Sequence, residues 1–290
     1  MFSKATKKKA KLRLALEGPS GSGKTTAALN IASGLGGKIA FIDTEHGSAS
    51  LYSDMFDFDV LDLAPPYAPE RFIEALKAAE QAGYETVVID SMTHEWEGEG
   101  GCLDILNSLG GRFTDWSKVT PRHNAFINAI LQSNCHVIGT WRTKTEYAVE
   151  VNNRGKSQPT KIGTAPKQRD GLEYEFTSVF SINQQHYAEA SKDRTRLFDG
   201  AGFYIDKSTG EKLLSFLNEG EDALANQIKA CMEKIRAASD INTLRNEFGH
   251  AWTFAGKNNM EAEKLELKKL YDSRVTDLEK ASTHEELEDV

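Results

Sequence analysis

Cysteine is scarce in this chain of 290 residues: Cys102, Cys135 and Cys231 stand far apart with no paired spacing. That pattern argues against a disulfide framework or a zinc site, fits a reducing cytosol, and reads as small buried hydrophobes. Long apolar runs are missing too. No stretch approaches bilayer-spanning length, and Met1-Phe-Ser-Lys4 leads into Lys7-Lys8-Lys9 with no signal-type hydrophobic segment after it. No membrane partner is therefore expected, and the expected compartment is cytoplasmic. An overall positive field is also lacking, since 35 Lys and Arg face 43 Asp and Glu for a formal net charge of −8. Any contact with nucleic acid must then be local. The lysine cluster is one such patch, and a solvated N-terminal arm is the plainer account of it. Internal repeats and low-complexity tracts are absent, and the length suits one large α/β core with a smaller appendage.

What the chain does have is Gly18-Pro19-Ser20-Gly21-Ser22-Gly23-Lys24-Thr25, one residue beyond the apolar run Leu12-Arg-Leu-Ala-Leu16 and followed by Thr26-Ala-Ala-Leu-Asn-Ile-Ala32. Strand, glycine-rich loop and helix stand in the order that a phosphate-binding loop requires. Glycines let successive N–H groups turn inward, Lys24 supplies a point charge, and the Thr25 hydroxyl can reach Mg²⁺. Gly18 through Thr26 thus read as the cradle of a nucleoside triphosphate, ATP by expectation.

Lys38–Asp43 and Tyr84–Asp90 read as buried parallel strands, apolar on both faces. Pro69 opens a helix that carries Phe72, Ile73, Leu76 and Ala79 and stops at Gly83. A second crossover helix is expected from Thr120-Pro121, feeding the strand His136–Thr140. Beyond Thr143 runs a segment of little periodicity through Gly171, read as a functional or mobile loop. Short antiparallel strands are expected within Glu175–Ile182, His186–Ala190 and Gly202–Ile205, closing the sheet edge before the core ends near Asn218. From Glu221 the texture turns helical: Ala223 to Ala238, a middle piece around Phe248, Trp252 and Phe254, then Met260 to Ala281, with a frayed acidic end at Glu285–Asp289. That end would also suit a partner-binding tail.

ATP hydrolysis needs a metal holder and a group to activate water. Asp90 ends a buried strand, where a carboxylate can position Mg²⁺ or merely cap the next turn. Glu45, in Phe41-Ile-Asp-Thr-Glu-His46, lies just past the end of another strand and suits a general base, with a plain surface acid as the alternative. The segment after Thr140 holds Arg142, Lys144, Arg154, Lys156, Lys161, Lys167 and Arg169 against Glu146, Glu150 and Asp170. It fits a cationic strip tracking single-stranded nucleic acid, and equally a lid over the nucleotide. After Asp90, Trp96, Phe113 and Trp116 mingle with Arg112, Lys118 and Arg122, a mixture that suits base stacking or ordinary core packing. His94, His123 and His136 show no metal-ligand spacing and read as structural.

From the loop at Gly18–Thr25, Phe41-Ile-Asp-Thr-Glu45-His46, Ile89-Asp90-Ser91 and Ser191-Lys192-Asp-Arg194-Thr195, the chain resembles RecA-like ATPases, and among them the phage single-strand annealing proteins of the Sak-four type. The resemblance covers roughly Leu12 to Asn218. It implies an α/β RecA-like P-loop NTPase core with a mostly parallel sheet over residues 1–219 and a helical C-terminal region over 220–290. It also implies Glu45 as water activator, Asp90 and Thr25 on Mg²⁺, and Lys192 and Arg194 reaching a neighbouring subunit's γ-phosphate. Single-stranded DNA, a homo-oligomeric ring or filament, a single-stranded DNA-binding protein and a bacterial host's cytoplasm follow as expected partners and setting. RecA proteins carry a glutamine after the fourth core strand to sense the γ-phosphate. This chain has Thr140-Trp141-Arg142 there, and either Thr140 or Arg142 is a candidate substitute. No RecA-type N-terminal oligomerisation helix is apparent. A helicase-like motor or loader, and a small-molecule P-loop kinase, remain as other outcomes of the same loop.

Overall fold

In the computed structural model, residues 4–151, 157–220, 223–258 and 260–288 are described. The chain divides into two units, Ala10–Leu217 and a second formed by Met1–Lys9 with Asn218–Val290.

In the first unit, strands and helices alternate: β1 (Arg13–Gly18), α1 (Lys24–Leu35), β2 (Ile39–Asp43), β3 (Asp59–Asp62), α2 (Pro69–Gln81) and β4 (Thr86–Asp90). Then come α3 (Thr93–Glu97), α4 (Cys102–Ser108), α5 (Trp116–Gln132), β5 (His136–Val151), β6 (Ser157–Pro166), β7 (Ser178–Ile182), β8 (Tyr187–Asp193), β9 (Phe203–Tyr204) and α6 (Lys207–Asn218). The sheet order is β3-β2-β4-β5-β1-β7-β8-β9. From β3 to β7 all pairs are parallel, and β7–β8 and β8–β9 are antiparallel. This is an α/β core with a mostly parallel sheet, followed by C-terminal helices.

The period-2 pattern of the strands sorts side chains to two layers. Val87, Ile89, Val137 and Trp141 meet Phe72 and Leu76 of α2 and Phe126 and Ile130 of α5 on one face. On the other, Leu14, Leu16, Val88 and Ile138 meet Leu29 and Ile31 of α1 and Leu213 of α6. Both faces are covered by helices, so the middles of the central strands are apolar on both sides.

Several sequence expectations need correcting. The segment after Thr143 is a β-hairpin: β5 continues to Val151 and pairs antiparallel with β6, from Thr143↔Pro166 to Val151↔Ser157. Pro159, Gly163 and Pro166 hide the strand pattern of β6, because an edge strand tolerates residues that a central one does not. β7 joins the parallel set beside β1 and does not pair antiparallel with it. The second crossover helix begins at Trp116, with Pro121 inside it. The sequence reading did not include the short edge strand β3 or the helix α6, although α6 sets Leu213 and Leu217 on one buried face.

The smaller unit packs α7 (Ala223–Ala237), α8 (Ile241–Lys257) and α9 (Glu261–Glu288) around Ile228, Ile235, Leu244, Ala251 and Leu267. Asp240 caps α8 by accepting from Thr243 N at 2.8 Å. α9 runs through the acidic residues 285–288 expected to fray. Among the described residues, no helix is long and apolar enough to cross a membrane.

One buried histidine links the fold to pH. His136 Nδ1 accepts from Leu12 N at 3.0 Å, joining β5 to the start of β1. Burial, then the charges of Lys11 and Arg13, push its pKa down to about 3. Between that value and the ordinary one near 6.5 the unfolded chain binds a proton that the folded chain refuses, so stability falls as pH drops through this window, by up to about 1.4 kcal/mol per pH unit. His136→Asn keeps an acceptor without the titration. Denaturant melts from pH 7 to 4 should show a shallower loss of stability in this variant than in the wild type.

Candidate functional site

The phosphate loop is shaped by contacts that exclude side chains at its glycines. A Cβ on Gly18 would lie 2.4 Å from Ile182 O and 2.6 Å from Ser22 Oγ. Gly23 has φ +84°, and a Cβ there would meet His186 Nδ1 at 2.9 Å. His186 also lies with Nδ1 3.0 Å from Ser22 O, bracing the loop from β8's approach. Ser22 Oγ is fully buried and, among the described residues, has no hydrogen-bond partner.

Lys24, at the start of α1, donates to Gly18 O at 3.0 Å and Pro19 O at 2.9 Å, so its ammonium lies inside the curl of the loop. Burial lowers its pKa, while the carboxylates of Asp90 and Glu45 oppose that shift. Thr25 Oγ1 donates to Asp90 Oδ2 at 2.6 Å, and Thr140 Oγ1 donates to Asp90 Oδ1 at 2.5 Å. Burial raises the Asp90 pKa against those two hydrogen bonds. Asp90 ends β4, which β5 separates from β1 in the sheet. It reaches Thr25 across the intervening strand, which contributes Thr140.

Glu45 stands on a turn that Asp43 closes: Asp43 Oδ1 accepts from Glu45 N at 2.5 Å and Oδ2 from Ala49 N at 2.9 Å. Thr44 fastens this turn to the end of β4, its Oγ1 accepting from Ser91 N at 2.7 Å. Arg142 Nε and Nη2 donate to Glu45 Oε1 at 3.1 and 2.8 Å. Arg142 N in turn donates to Thr93 Oγ1 at 2.9 Å, which fixes the backbone behind the guanidinium. The sequence singled out Arg142 and Thr140 only as substitutes for a missing glutamine. Their bonds to Glu45 and Asp90 depend on strand register that no local pattern records.

These residues fit a nucleotide with Mg²⁺. The curl of backbone at Gly18 leaves no room for a Cβ, a buried hydroxyl on Ser22 lacks a partner among the described residues, and Lys24 places a cation at the same spot. Thr25 and Asp90 would hold the metal, whose charge would offset the desolvated Asp90 carboxylate and shield the phosphates. With strand order, loop and acid pair in place, the deciding observation is that the AAA domain family matches over residues 10–217. The chain belongs to this family of P-loop ATPases. No curated protein matches it.

Within this AAA ATPase chain, Lys192 and Arg194 do not join Lys24, Asp90 and Glu45. Lys192 pairs in register with Val179 and Asp193 with Ser178, which lie beside Ala15 and Leu14, toward the start of β1 and away from Gly18. Lys192 Nζ donates to Glu173 O at 2.8 Å and Tyr174 O at 2.6 Å, and Arg194 Nη2 to Tyr174 O at 2.8 Å. Of the expected stacking residues, Trp96 and Trp116 stack on each other at 5.7 Å beside a buried cluster, whereas Phe113 is 91% exposed. Of the cationic strip, Arg142 is committed to Glu45, Lys167 pairs with Glu97 at 2.9 Å, and Arg169 donates to Asn124 at 3.2 Å. Lys144 is exposed and Lys161 falls on β6. Arg154 and Lys156 lie outside the described residues.

Proposed function

We propose that this ATPase assembles as identical subunits on single-stranded DNA and promotes annealing or strand exchange, in the manner of the phage Sak-four proteins that its sequence resembles. The observation that carries the DNA part is Phe113: an aromatic ring almost wholly in water, next to the exposed Arg112 and just after Gly110-Gly111, in the segment following the Asp90 strand. Leaving such a ring bare costs apolar burial, and stacking on an unpaired base recovers it. Glycines with φ +113° and +69° let the segment turn there.

In the hydrolytic step, the loop N–H groups and Lys24 hold the phosphates, and Thr25 with Asp90 holds Mg²⁺. One oxygen of Glu45 is fixed by Arg142, and the carboxylate takes the proton of the attacking water. Lys192 and Arg194 of an adjoining copy offset charge on the γ-phosphate. Arg142 touches the water activator directly, so it stands where DNA occupancy and Glu45 orientation can be coupled.

ATP turnover measured with and without single-stranded DNA tests this function. Stimulation of at least about tenfold, a barrier change of about 1.4 kcal/mol, is expected, together with pairing of complementary labelled strands. Phe113→Ala should lose most of the stimulation and keep the basal rate. Directional strand displacement would favour a helicase motor, and DNA-independent phosphorylation of an acceptor would favour a kinase. Either result, or turnover indifferent to DNA, would overturn the proposal.

A further inference from the structure

Outside the nucleotide site, three side chains that spacing treats as unrelated come together. Glu95 of α3, Cys102 at the start of α4 and His123 of α5 are 0%, 0% and 2% exposed. Their donor atoms all lie within 4.8 Å of one another. Cys102 Sγ is 3.1 Å from Glu95 Oε1, and His123 Nδ1 is 3.1 and 3.2 Å from the two Glu95 oxygens. Around them pack Leu106, Val119, Trp96 and Trp116. A thiol, an imidazole and a carboxylate thus converge on one point in apolar surroundings, where a lone anion is costly. Among the described residues, the ion-pair partner of Glu95 is His123.

We propose that Glu95, Cys102 and His123 form a buried zinc site. The donor set is sulfur, nitrogen and oxygen, the mixture zinc accepts in tetrahedral sites. Charge closes as well: Zn²⁺ balances one thiolate and one carboxylate, with a neutral imidazole completing the set. Ligands of a tetrahedral zinc stand about 3.3–3.6 Å apart, given bond lengths near 2.0–2.3 Å, and the Cys102–Glu95 and His123–Glu95 pairs at 3.1–3.2 Å fall a few tenths of an ångström short of that. Glu95, Cys102 and His123 fill three positions, and a water would take the fourth. On binding, the Cys102 proton leaves to solvent and Nδ1 of His123 becomes the ligating nitrogen. The site ties together α3, α4 and α5, the elements that flank the Phe113 segment, and it stands apart from the phosphate loop.

The full chain, purified without chelator, should hold about one zinc, with X-ray absorption showing one sulfur near 2.3 Å and lighter ligands near 2.0–2.2 Å. In Cys102→Ser, zinc affinity should fall by more than the roughly 10–100-fold that loss of an outer partner costs. Cobalt substituted into the chain should give a thiolate-to-metal absorption band that survives in the Cys135→Ser, Cys231→Ser double variant and vanishes in Cys102→Ser. If Cys102→Ser does not fold, the absorption spectrum of the wild type decides. Protein that neither carries zinc nor gains the cobalt band on titration, or bound zinc without a sulfur neighbour, would show a merely hydrogen-bonded triad and overturn the site.

Discussion

Glu45→Gln is expected to lower ATP turnover at saturating nucleotide by about 10²–10⁴-fold, the usual worth of a positioned general base. The substitution is close to isosteric, and a glutamine carbonyl can still accept from the Arg142 guanidinium that now lies 2.8 Å from Oε1. The turn beneath it is untouched, because Asp43 closes that turn through the backbone N–H groups of residues 45 and 49. What disappears is the capacity to take a proton from water. Nucleotide affinity, set by the loop, Lys24, Thr25 and Asp90, should stay within about threefold, so the loss falls on kcat and not on binding. Equilibrium binding of a labelled nucleotide beside steady-state turnover separates the two. Turnover within about threefold of wild type would remove Glu45 from the chemistry.

Lys192→Ala is expected to cost about 10³-fold or more in DNA-stimulated turnover, the scale of a cation delivered to a transferring phosphoryl group from a neighbouring chain. In the single chain Lys192 serves no phosphate: it binds the carbonyls of Glu173 and Tyr174, and Arg194 shares the second. Burial, and then the adjacent Arg194, lower its pKa, so an anion brought near it would be favoured. Tyr174 is 69% exposed, so the carbonyls that hold both cations belong to a surface segment. Binding of nucleotide to the isolated chain should be unchanged in Lys192→Ala, because the loop cradle is complete without it. A loss of nucleotide affinity equal to the loss of turnover would mean that the substitution damages the fold.

The loop at Gly18–Thr25 was legible because its chemistry is local: strand, glycines, lysine and helix are contiguous, and β1 and α1 fall where they were expected. Asp90 and Glu45 were legible as strand-end acids, since apolar runs before them mark buried strands. The partners of those acids were not legible. Arg142 meets Glu45, and Thr140 meets Asp90, only because β5 lies between β1 and β4 in a particular register. Side chains 97 and 50 positions apart in sequence leave no spacing to recognise. The gathering of Glu95, Cys102 and His123 is hidden for the same reason, since three separate helices supply one donor each. The hairpin of β5 and β6 was obscured by prolines and glycine, which an edge ladder tolerates.

The central claim is that the hydrolytic site is shared between copies, one supplying Glu45 and its neighbour supplying Lys192. Mixing equal amounts of Glu45→Gln and Lys192→Ala chains, each nearly inactive alone, tests it directly in a DNA-stimulated turnover assay. Random assembly sets an intact Glu45 against an intact Lys192 in one interface of four, so the mixture should recover about a quarter of wild-type turnover. Turnover no greater than the sum of the two parents would contradict a shared site.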